Sequence, residues 1–457
     1  MNAFLLNRQL GSIRHGELAR AQNNRLLKAL HGTDTKFALD QPNAGSSSNR
    51  EGGPRARDVA HAAGVNSIAV DRFEGRYLIS GGADSSLAIW DLEAAADSGS
   101  NLPLEVSART STTASLGITQ LSFYPFDSLA LLTTGYDGTL KLFSSETLQA
   151  SATFDLAGTI YSHSTSLIST HLLVACAVQH PAVRLVDLRS GAATHSLPGH
   201  SGSVLCVAWH PRDENILASS ATDGVVRLWD IRRSASSLGV LDLEDSIGLA
   251  GYDKKGTGAR RRERGKSHIG AANGIVWTAD GHHLVSNGHD ERMRVWDMRN
   301  GANTLANFGP GLKNSVATAQ LPLIAPPGFS EIGRETIFYP NPKEILAFDM
   351  HSGMLQSRLR VRGLPGSEIN TNGLASRNPR NRTTSLAWRT HHVEMYSGHG
   401  DGTIRCWRAR TSEDIIAEEE DNEDEETETD AAYRKRKREE FDRVVRDLTS
   451  QKKITFS

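Results

Sequence analysis

The chain has 457 residues, and its 51 basic and 53 acidic side chains nearly cancel, so no bulk charge points to nucleic acid or to a membrane surface. The sequence contains no apolar run of about 18 residues, and its start lacks the charged, apolar and small-residue regions of a signal peptide. Cys176, Cys206 and Cys406 lie far apart without CxxC or histidine-paired spacing, which disfavours a zinc site and a disulfide framework and fits a reducing compartment. We therefore expect no metal, no cofactor and no membrane contact.

Residues 1–30 are predicted to form two short helical pieces, interrupted around residues 11–16. Leucines supply their apolar faces and arginines a basic face, which suits either a loose leader or a pair of partner-binding helices. Residues 31–57 are assigned to a flexible linker, since residues 41–57 are rich in Ser, Gly, Asn and Arg. Residues 58–60 follow as the candidate outer strand that would close the last sheet of the fold and remove its open edge.

A spaced pattern recurs through the rest of the chain: an aspartate stands four residues after a Ser or Thr and six residues before an aromatic residue. The five instances are Ser80/Asp84/Trp90, Thr133/Asp137/Phe143, Ser219/Asp223/Trp229, Ser286/Asp290/Trp296 and Ser397/Asp401/Trp407. A unit that recurs over hundreds of residues indicates a repeat architecture. We interpret each unit as one blade of a WD-repeat β-propeller, with the aspartate in a tight turn between two strands.

Two degenerate units complete the count of blades. Val186 and Phe348 stand at the aromatic position, with His180 and Pro342 in place of the aspartate. Four-stranded blades repeat every ~40 to 45 residues, with any excess in loops, so the spacing predicts an all-β fold, a seven-bladed propeller over residues 58–410. The remaining tryptophans are expected on the first strands of their blades: Trp209, Trp277 and Trp388.

A histidine 22 or 23 residues before the aspartate completes a buried hydrogen-bond relay in three units. Tryptophan only donates, whereas a hydroxyl and a neutral imidazole both donate and accept, so a chain from Trp through Ser and His to Asp satisfies its polar atoms without water. The three structural tetrads are His61/Ser80/Asp84/Trp90, His200/Ser219/Asp223/Trp229 and His268/Ser286/Asp290/Trp296. A Ser–His–Asp catalytic triad is the alternative, but it requires an exposed nucleophile and an oxyanion site, and these hydroxyls are expected beneath tryptophans.

The units of Asp137 and Asp401 lack this upstream histidine. Ser115 and Pro379 stand near the expected distance instead. We therefore expect their blades to be held less rigidly.

Two charged segments lie outside the repeat units. Residues 233–266 form a basic loop insertion between the fourth and fifth blades and end in an Arg-rich run, for which a solvated loop is favoured over a nucleic-acid contact. The tail, residues 411–457, begins with an acidic stretch that is predicted to be disordered. A basic run at residues 434–438 and a short helix with apolar residues at helical spacing follow. The basic run suits either nuclear import, and thus a nuclear location, or a plain solubilising stretch.

A propeller presents two rims of loops around a channel, which suits docking rather than the convergence of reactive groups. His282/His283 and His391/His392 are adjacent pairs in turns, whereas a metal site needs separated ligands on one face. We therefore predict a non-catalytic protein that has no small-molecule substrate.

One repeat ends in the motif Trp229–Arg232, with the sequence Trp-Asp-Ile-Arg. It resembles the extended WD box of propellers that dock on the damaged-DNA-binding protein 1 adaptor of cullin-type ubiquitin ligases. An arginine at that position can form bidentate hydrogen bonds with a partner. Residues Trp296–Arg299 repeat the ending. The alternative is an ordinary repeat with an exposed arginine.

Residues 4–11, with the sequence Phe-Leu-Leu-Asn-Arg-Gln-Leu-Gly, resemble the start of the Cockayne syndrome A family of WD-repeat substrate receptors. The likeness continues through residues 74–77, 161–163, 199–233 and 300–305, and it covers residues 1–30 and about 58–408. In that family, a helical pair ahead of the propeller inserts into the adaptor.

The resemblance implies that the adaptor-facing residues are Phe4, Leu5, Arg8 and Arg232. The opposite rim would hold the Cockayne syndrome B-type ATPase and stalled RNA polymerase II, so that the cullin-RING ligase core can ubiquitinate substrates in transcription-coupled nucleotide excision repair. For the substrate rim we predict Tyr136, Thr222 and His289, because the repeat geometry places residues just before the turn aspartates at the mouth of the channel.

The competing function is a general scaffold propeller that binds chromatin or histones. Acidic residues lining the rim would support histone tails as ligands, and salt-sensitive DNA binding would support a nucleic-acid contact. The neutral overall charge leads us to expect no direct DNA binding.

Overall fold

The computed structural model describes residues 7, 9–11, 15–33, 35–39, 59–94, 100–107, 117–168, 170–233, 237–243, 265–309, 311–314, 316, 318–330, 333–360, 382–389 and 391–410. Several sequence predictions lie outside these residues: those for Phe4, Leu5, Arg8, most of the 233–266 insertion and the 411–457 tail. Within them, helix α1 spans His15–Lys28, so it includes the last two residues of the predicted interruption, His15 and Gly16. No helix of the described residues is long and apolar enough to cross a membrane.

Two short strands, β1 (Leu30–Gly32) and β2 (Lys36–Phe37), follow the helix, and most of the later strands form blades. Blade 1 contains β3 (Val65–Val70), β4 (Tyr77–Gly82), β5 (Leu87–Asp91) and, after the short strand β6 (Ser100–Asn101), β7 (Pro103–Val106). Blade 2 contains β8 (Ile118–Tyr124), β9 (Asp127–Gly135), β10 (Thr139–Ser144) and β11 (Ala150–Asp155). Blade 3 contains β12 (Ile160–Thr165), β13 (Leu173–Val178), β14 (Ala182–Asp187) and β15 (Ala192–Pro198).

Blade 4 contains β16 (Val204–Trp209), β17 (Ile216–Ala221), β18 (Val226–Asp230) and β19 (Ser237–Leu241). Blade 5 contains β20 (Ala272–Trp277), β21 (His283–Gly288), β22 (Met293–Asp297) and β23 (Ala302–Asn303). Blade 6 contains β24 (Leu323–Ile324), β25 (Thr336–Pro340), β26 (Ile345–Asp349) and β27 (Leu355–Leu359). Blade 7 contains β28 (Thr383–Trp388), β29 (Glu394–His399), β30 (Ile404–Ala409) and β1.

These seven four-stranded sheets confirm the predicted seven-bladed propeller. Each of the seven marker positions, including the degenerate Val186 and Phe348, lies on the third strand of its blade. Seven buried apolar clusters join the blades, and each cluster combines residues of two neighbours, including the last and the first blade. Because a strand buried on both faces must meet an apolar surface on each side, the sheets close into a ring.

The outer strand of blade 7 is β1, and this corrects the prediction that residues 58–60 form it. Leu30 is buried in the cluster that contains Trp407, and a Cβ on Gly32 would lie 3.4 Å from the Trp407 ring. The apolar contact of Leu30 and the close approach of Gly32 to the Trp407 indole therefore favour β1 as the outer strand of blade 7. The backbone amide of Ala60 instead donates to the Gly402 carbonyl, in the turn between β29 and β30.

Residues 35–39 also belong to the ordered propeller, although the sequence assigned residues 31–57 to a linker. β2 pairs in parallel with β6, and Phe37 is buried in edge-on contact with Trp90 and Tyr396. The linker assignment rested on the composition of residues 41–57, which says nothing about the apolar Phe37.

Candidate functional site

The predicted hydrogen-bond relay is complete in blade 4. Trp229 Nε1 donates to Ser219 Oγ at 2.7 Å, Ser219 Oγ lies 2.8 Å from His200 Nε2, and His200 Nδ1 lies 3.1 Å from Asp223 Oδ2. Since the indole only donates, the hydroxyl proton is directed to Nε2 and the imidazole proton is on Nδ1. Blade 5 repeats this arrangement at 2.9, 2.8 and 3.0 Å with Trp296, Ser286, His268 and Asp290.

The hydrogen bonds of these relays favour the ionised form of their carboxylates. Burial opposes ionisation of Asp223, but hydrogen bonds from His200 and the Ser201 backbone outweigh it and lower the Asp223 pKa to about 2. Burial lowers the pKa of His268, so its imidazole stays neutral at neutral pH. Ser219 and Ser286 are fully buried beneath their tryptophans, which leaves no exposed nucleophile for a catalytic triad at either site.

Blade 1 inserts one more hydroxyl into the relay. His61 Nε2 lies 2.7 Å from Ser80 Oγ, but His61 Nδ1 lies 2.6 Å from Ser86 Oγ, which in turn donates to Asp84 Oδ1. His61 and Asp84 are 3.7 Å apart. Ser86 thus transmits the hydrogen bond that the sequence assigned directly to His61 and Asp84.

Blade 7 obtains its imidazole from a position that the sequence analysis missed. His399, on the same strand as Ser397, lies 2.9 Å through Nε2 from Ser397 Oγ, which accepts from Trp407 Nε1 at 2.8 Å. Burial lowers the pKa of His399 to about 3. The Ser-Gly-His order within one strand was the available signal, since it places the ring two residues beyond the serine on the same face.

Residues at a repeated bulge tie neighbouring blades together around the channel. In six blades the pairing of the first two strands shifts one residue after the first strand begins. The extra residue is Asn66 in blade 1 and Thr119 in blade 2, and their side chains donate to the carbonyls of Ile118 and Ile160, at the start of the next blade. Thr384 does the same from blade 7 to blade 1. A bulge turns a side chain away from the ladder, which makes these contacts possible.

The two rims differ in what they present. In an antiparallel four-stranded blade, the connections from strand one to two and from three to four lie at one end, here called the Trp-Asp rim. At this rim, Arg232 Nε and Nη2 bond both oxygens of Asp230 at 3.0 and 2.9 Å, and the Arg232 side chain is 65% exposed. Arg299 and Asp297 form the same pair. The Asp230 hydrogen bond and charge raise the pKa of Arg232, which keeps the guanidinium charged.

Helix α1 contacts the same rim. Asn23 Nδ2 donates to the Gly328 carbonyl at 3.2 Å, in the connection between the first two strands of blade 6. Leu27, 2% exposed, packs in the cluster of Trp388 and Trp407. The helix is therefore anchored to the end of the propeller that carries Arg232.

Four segments of the chain match the family model described as WD domain, G-beta repeat: residues 54–91, 107–144, 191–230 and 263–297. Each match ends at the third strand of a blade, which carries the aromatic residue of the repeat pattern. The chain is a WD40-repeat protein.

Three proteins with similar sequences match different parts of this WD40 propeller. It is 29% identical to WD repeat-containing protein ATCSA-1 of Arabidopsis thaliana, over 79% of this chain and 90% of that protein. It is 25% identical to Radiation-sensitive protein 28 of Saccharomyces cerevisiae, over 39% of this chain and 38% of that protein. It is 28% identical to DDB1- and CUL4-associated factor 13 of Dictyostelium discoideum, over 22% of this chain and 18% of that protein.

The predicted substrate residues of the WD40 propeller lie at the opposite end, the turn-aspartate rim, where the turns between second and third strands hold Asp137 and Asp290. Tyr136 is half-buried in a small cavity that Arg382 also lines. His289 is exposed and its Nε2 lies 2.8 Å from the Val316 carbonyl. Thr222 is exposed on blade 4 and does not line this cavity.

Val316 and Thr318 belong to a segment that the sequence analysis missed, and this segment lies next to two of the predicted substrate residues. Val316 bonds His289, while Thr318 lines the cavity beside Tyr136. Asn273 Nδ2 holds the same segment through the carbonyls of Val316 and Thr318, at 2.9 and 3.1 Å. The segment therefore contributes to the mouth of the channel next to the predicted substrate residues. Its apolar and small residues carry no repeat signal.

The described residues contain no cluster of three or more His, Cys, Asp or Glu side chains able to hold a metal ion. The three cysteines are buried free thiols. The geometry of the WD40 propeller places the exposed Arg232 side chain at one rim and the exposed His289 side chain at the other.

Proposed function

We propose that this WD40 propeller is the substrate-recognition subunit of a cullin-RING ubiquitin ligase, docked on the damaged-DNA-binding protein 1 adaptor. The observation that carries the proposal is the placement of helix α1 and the Arg232 guanidinium on one rim. A DDB1- and CUL4-associated factor is among the similar proteins, and ATCSA-1 matches most of this chain, which supports the same role.

The state of Arg232 suits an interface. Asp230 fixes the plane of the guanidinium through a bidentate contact, so little side-chain entropy remains to be lost on binding. The 65% exposure of Arg232 leaves its outer edge accessible to a carboxylate or carbonyl of the adaptor. Arg299, 71% exposed and held by Asp297, presents a second such group in the adjacent blade.

The propeller contributes positioning rather than bond making, because a bound substrate meets the ligase at a raised effective concentration. The turn-aspartate rim would hold the substrates, with Tyr136 and His289 as contacts. We extend the proposal to the Cockayne syndrome B-type ATPase and stalled RNA polymerase II as substrates, to transcription-coupled nucleotide excision repair as the process, and to the nucleus as the location.

Co-purification with the adaptor tests this role. Deletion of residues 1–30 is unsuitable, because it removes Leu27 and Leu30 from the core. Deletion of residues 2–12 leaves α1 and β1 intact and removes Phe4, Leu5 and Arg8. This deletion and Arg232→Glu should each abolish adaptor binding in the folded chain.

Arg189→Glu is the matched control, since Arg189 is an exposed arginine after the third strand of blade 3 in a unit that lacks the tryptophan. It should leave adaptor binding unchanged. If the adaptor is retained after both Arg232→Glu and the deletion, the assignment of this rim is wrong. Selective capture of histone tails instead would favour the scaffold alternative.

A further inference from the structure

A cavity of 510 Å³ in blade 2 lies where other blades hold an imidazole. Gly82 and Gly288 stand two residues before their turn aspartates, and a Cβ on either would lie 2.7 Å from Nδ1 of the blade's histidine. Gly135 holds the same position in blade 2 and lines the cavity. A Cβ there would meet the Asp137 carboxylate, and the next neighbour beyond it is the Gly117 carbonyl at 3.6 Å.

Two residues that line the cavity, Asp137 and Phe143, are more exposed than their counterparts in the complete blades. The Asp137 side chain is 31% exposed, whereas the aspartates of the three tetrads are 4%, 9% and 7% exposed. Phe143 is half-buried, whereas the tryptophans at the same position are 0–1% exposed. An imidazole covers the carboxylate and the aromatic residue in the complete blades, and no ring of the described residues does so here.

The polar groups that hold the ring in blade 1 are nevertheless retained in blade 2. His61 bridges the hydroxyls of Ser80 and Ser86 at 2.7 and 2.6 Å. Thr133 and Thr139 stand at the equivalent positions and line the cavity. Thr139 Oγ1 donates to Asp137 Oδ1 at 2.8 Å, as Ser86 Oγ donates to Asp84 at 2.6 Å.

The cavity is larger than one ring and continues along apolar side chains. Phe143 and Leu148 line it on blade 2, and Val106 lines it on the outer strand of blade 1. Its volume falls within the range of ~300–1,000 Å³ that holds small ligands. A polar end fitted to an imidazole and an apolar extension together match a short peptide segment.

We propose that this cavity binds a histidine side chain of a partner polypeptide, with an apolar neighbour of that histidine against Phe143 and Leu148. The ligand's imidazole would bridge Thr133 and the Thr139–Asp137 pair, as His61 bridges its two serines. The site lies between blades 1 and 2, and its described lining residues include neither Arg232 nor any residue of helix α1.

Titration of the full chain with N-acetyl-histidine N-methylamide, followed by amide NMR, tests the proposal. Saturable shifts should appear in β9 and β10. Thr133→Val keeps the shape of the side chain and removes one hydrogen bond, so it should weaken binding about tenfold. N-acetyl-phenylalanine N-methylamide should bind at least about tenfold more weakly, since it makes neither hydrogen bond.

His200→Gly supplies a positive control, because it opens the same hole in blade 4. The histidine amide should raise the thermal stability of this variant. Absence of shifts in β9 and β10 of the unmodified chain would overturn the proposal, as would equal binding to Thr133→Val. Neither result depends on adaptor binding, so a failure here leaves the proposed receptor role standing.

Discussion

Thr384 Oγ1 donates to the backbone carbonyl of Val65 at 2.6 Å, although the two residues are 319 positions apart. The bond joins the first strand of blade 7 to the first strand of blade 1. It belongs to a set of bulge residues that reach the next blade around the channel, and it is the member that closes the ring. Ring closure thus combines this contact at the channel with β1 at the outer edge of blade 7.

Thr384→Val should destabilise the closure between the last and first blades. The valine keeps the side-chain shape but leaves the Val65 carbonyl without its donor, at a cost of about 1–2 kcal/mol. Amide hydrogen exchange should accelerate in β3 and β28 and stay unchanged in β12 and β16. Uniform acceleration in all four strands would contradict a local closing role.

Ser219→Ala should destabilise the protein by about 2–3 kcal/mol, because it breaks two buried hydrogen bonds and leaves Trp229 Nε1 without an acceptor. The matched control is Ser220→Ala. Ser220 is equally buried, and its Oγ has no hydrogen-bond partner in the described part of the chain. Urea unfolding should show a change below about 0.5 kcal/mol for the control. Equal losses in the two variants would show that the relay adds no stability.

Leu27→Ala should cost about 2–4 kcal/mol, because Leu27 is 2% exposed in the cluster of blades 6 and 7. Leu26→Ala is the comparison, since Leu26 is 38% exposed on the same helix. Thermal unfolding should separate the two variants clearly. Similar unfolding temperatures would mean that α1 does not stabilise the propeller.

Stability should fall as the pH drops below about 6.5, the ordinary histidine pKa. Burial lowers the pKa of His163 to about 4 and that of His399 to about 3, so the unfolded chain binds protons that the folded chain excludes. Each histidine therefore contributes a stability that is complete above pH 6.5 and is lost toward its folded pKa, by about 1.4 kcal/mol per pH unit.

Between pH 6 and 4, His163→Gln should reduce the slope of the unfolding free energy against pH by about 1.4 kcal/mol per pH unit, which corresponds to one proton. Exposed His282 offers the control, and His282→Gln should leave the slope unchanged. Urea unfolding at a series of pH values measures both. An unaltered slope in His163→Gln would contradict the assignment of this linkage to His163.

The relay residues could be found from sequence because each tetrad lies within one repeat, at spacings set by strand and turn lengths. His163 shows where that approach stops. It lies on the first strand of blade 3, yet its ring contacts Ser122 and Thr134 of blade 2 at 2.8 and 3.2 Å. The spacing of residues within one repeat does not predict a contact between two blades. The predicted looser hold on blade 2 remains a prediction, and the exposure of Asp137 is consistent with it.

The amino-acid sequence by itself determined the number of blades, the third-strand aromatic positions and the members of the tetrads, because hydrogen-bond chemistry and strand spacing repeat locally along the chain. Only the tertiary structure decided that β1 closes the ring, that His399 serves blade 7, and that blade 2 keeps a cavity. Those features depend on backbone carbonyls and apolar surfaces that meet across distant parts of the chain. Backbone carbonyls and apolar surfaces occur in every protein, so they leave no periodic pattern in the sequence from which these contacts could be predicted.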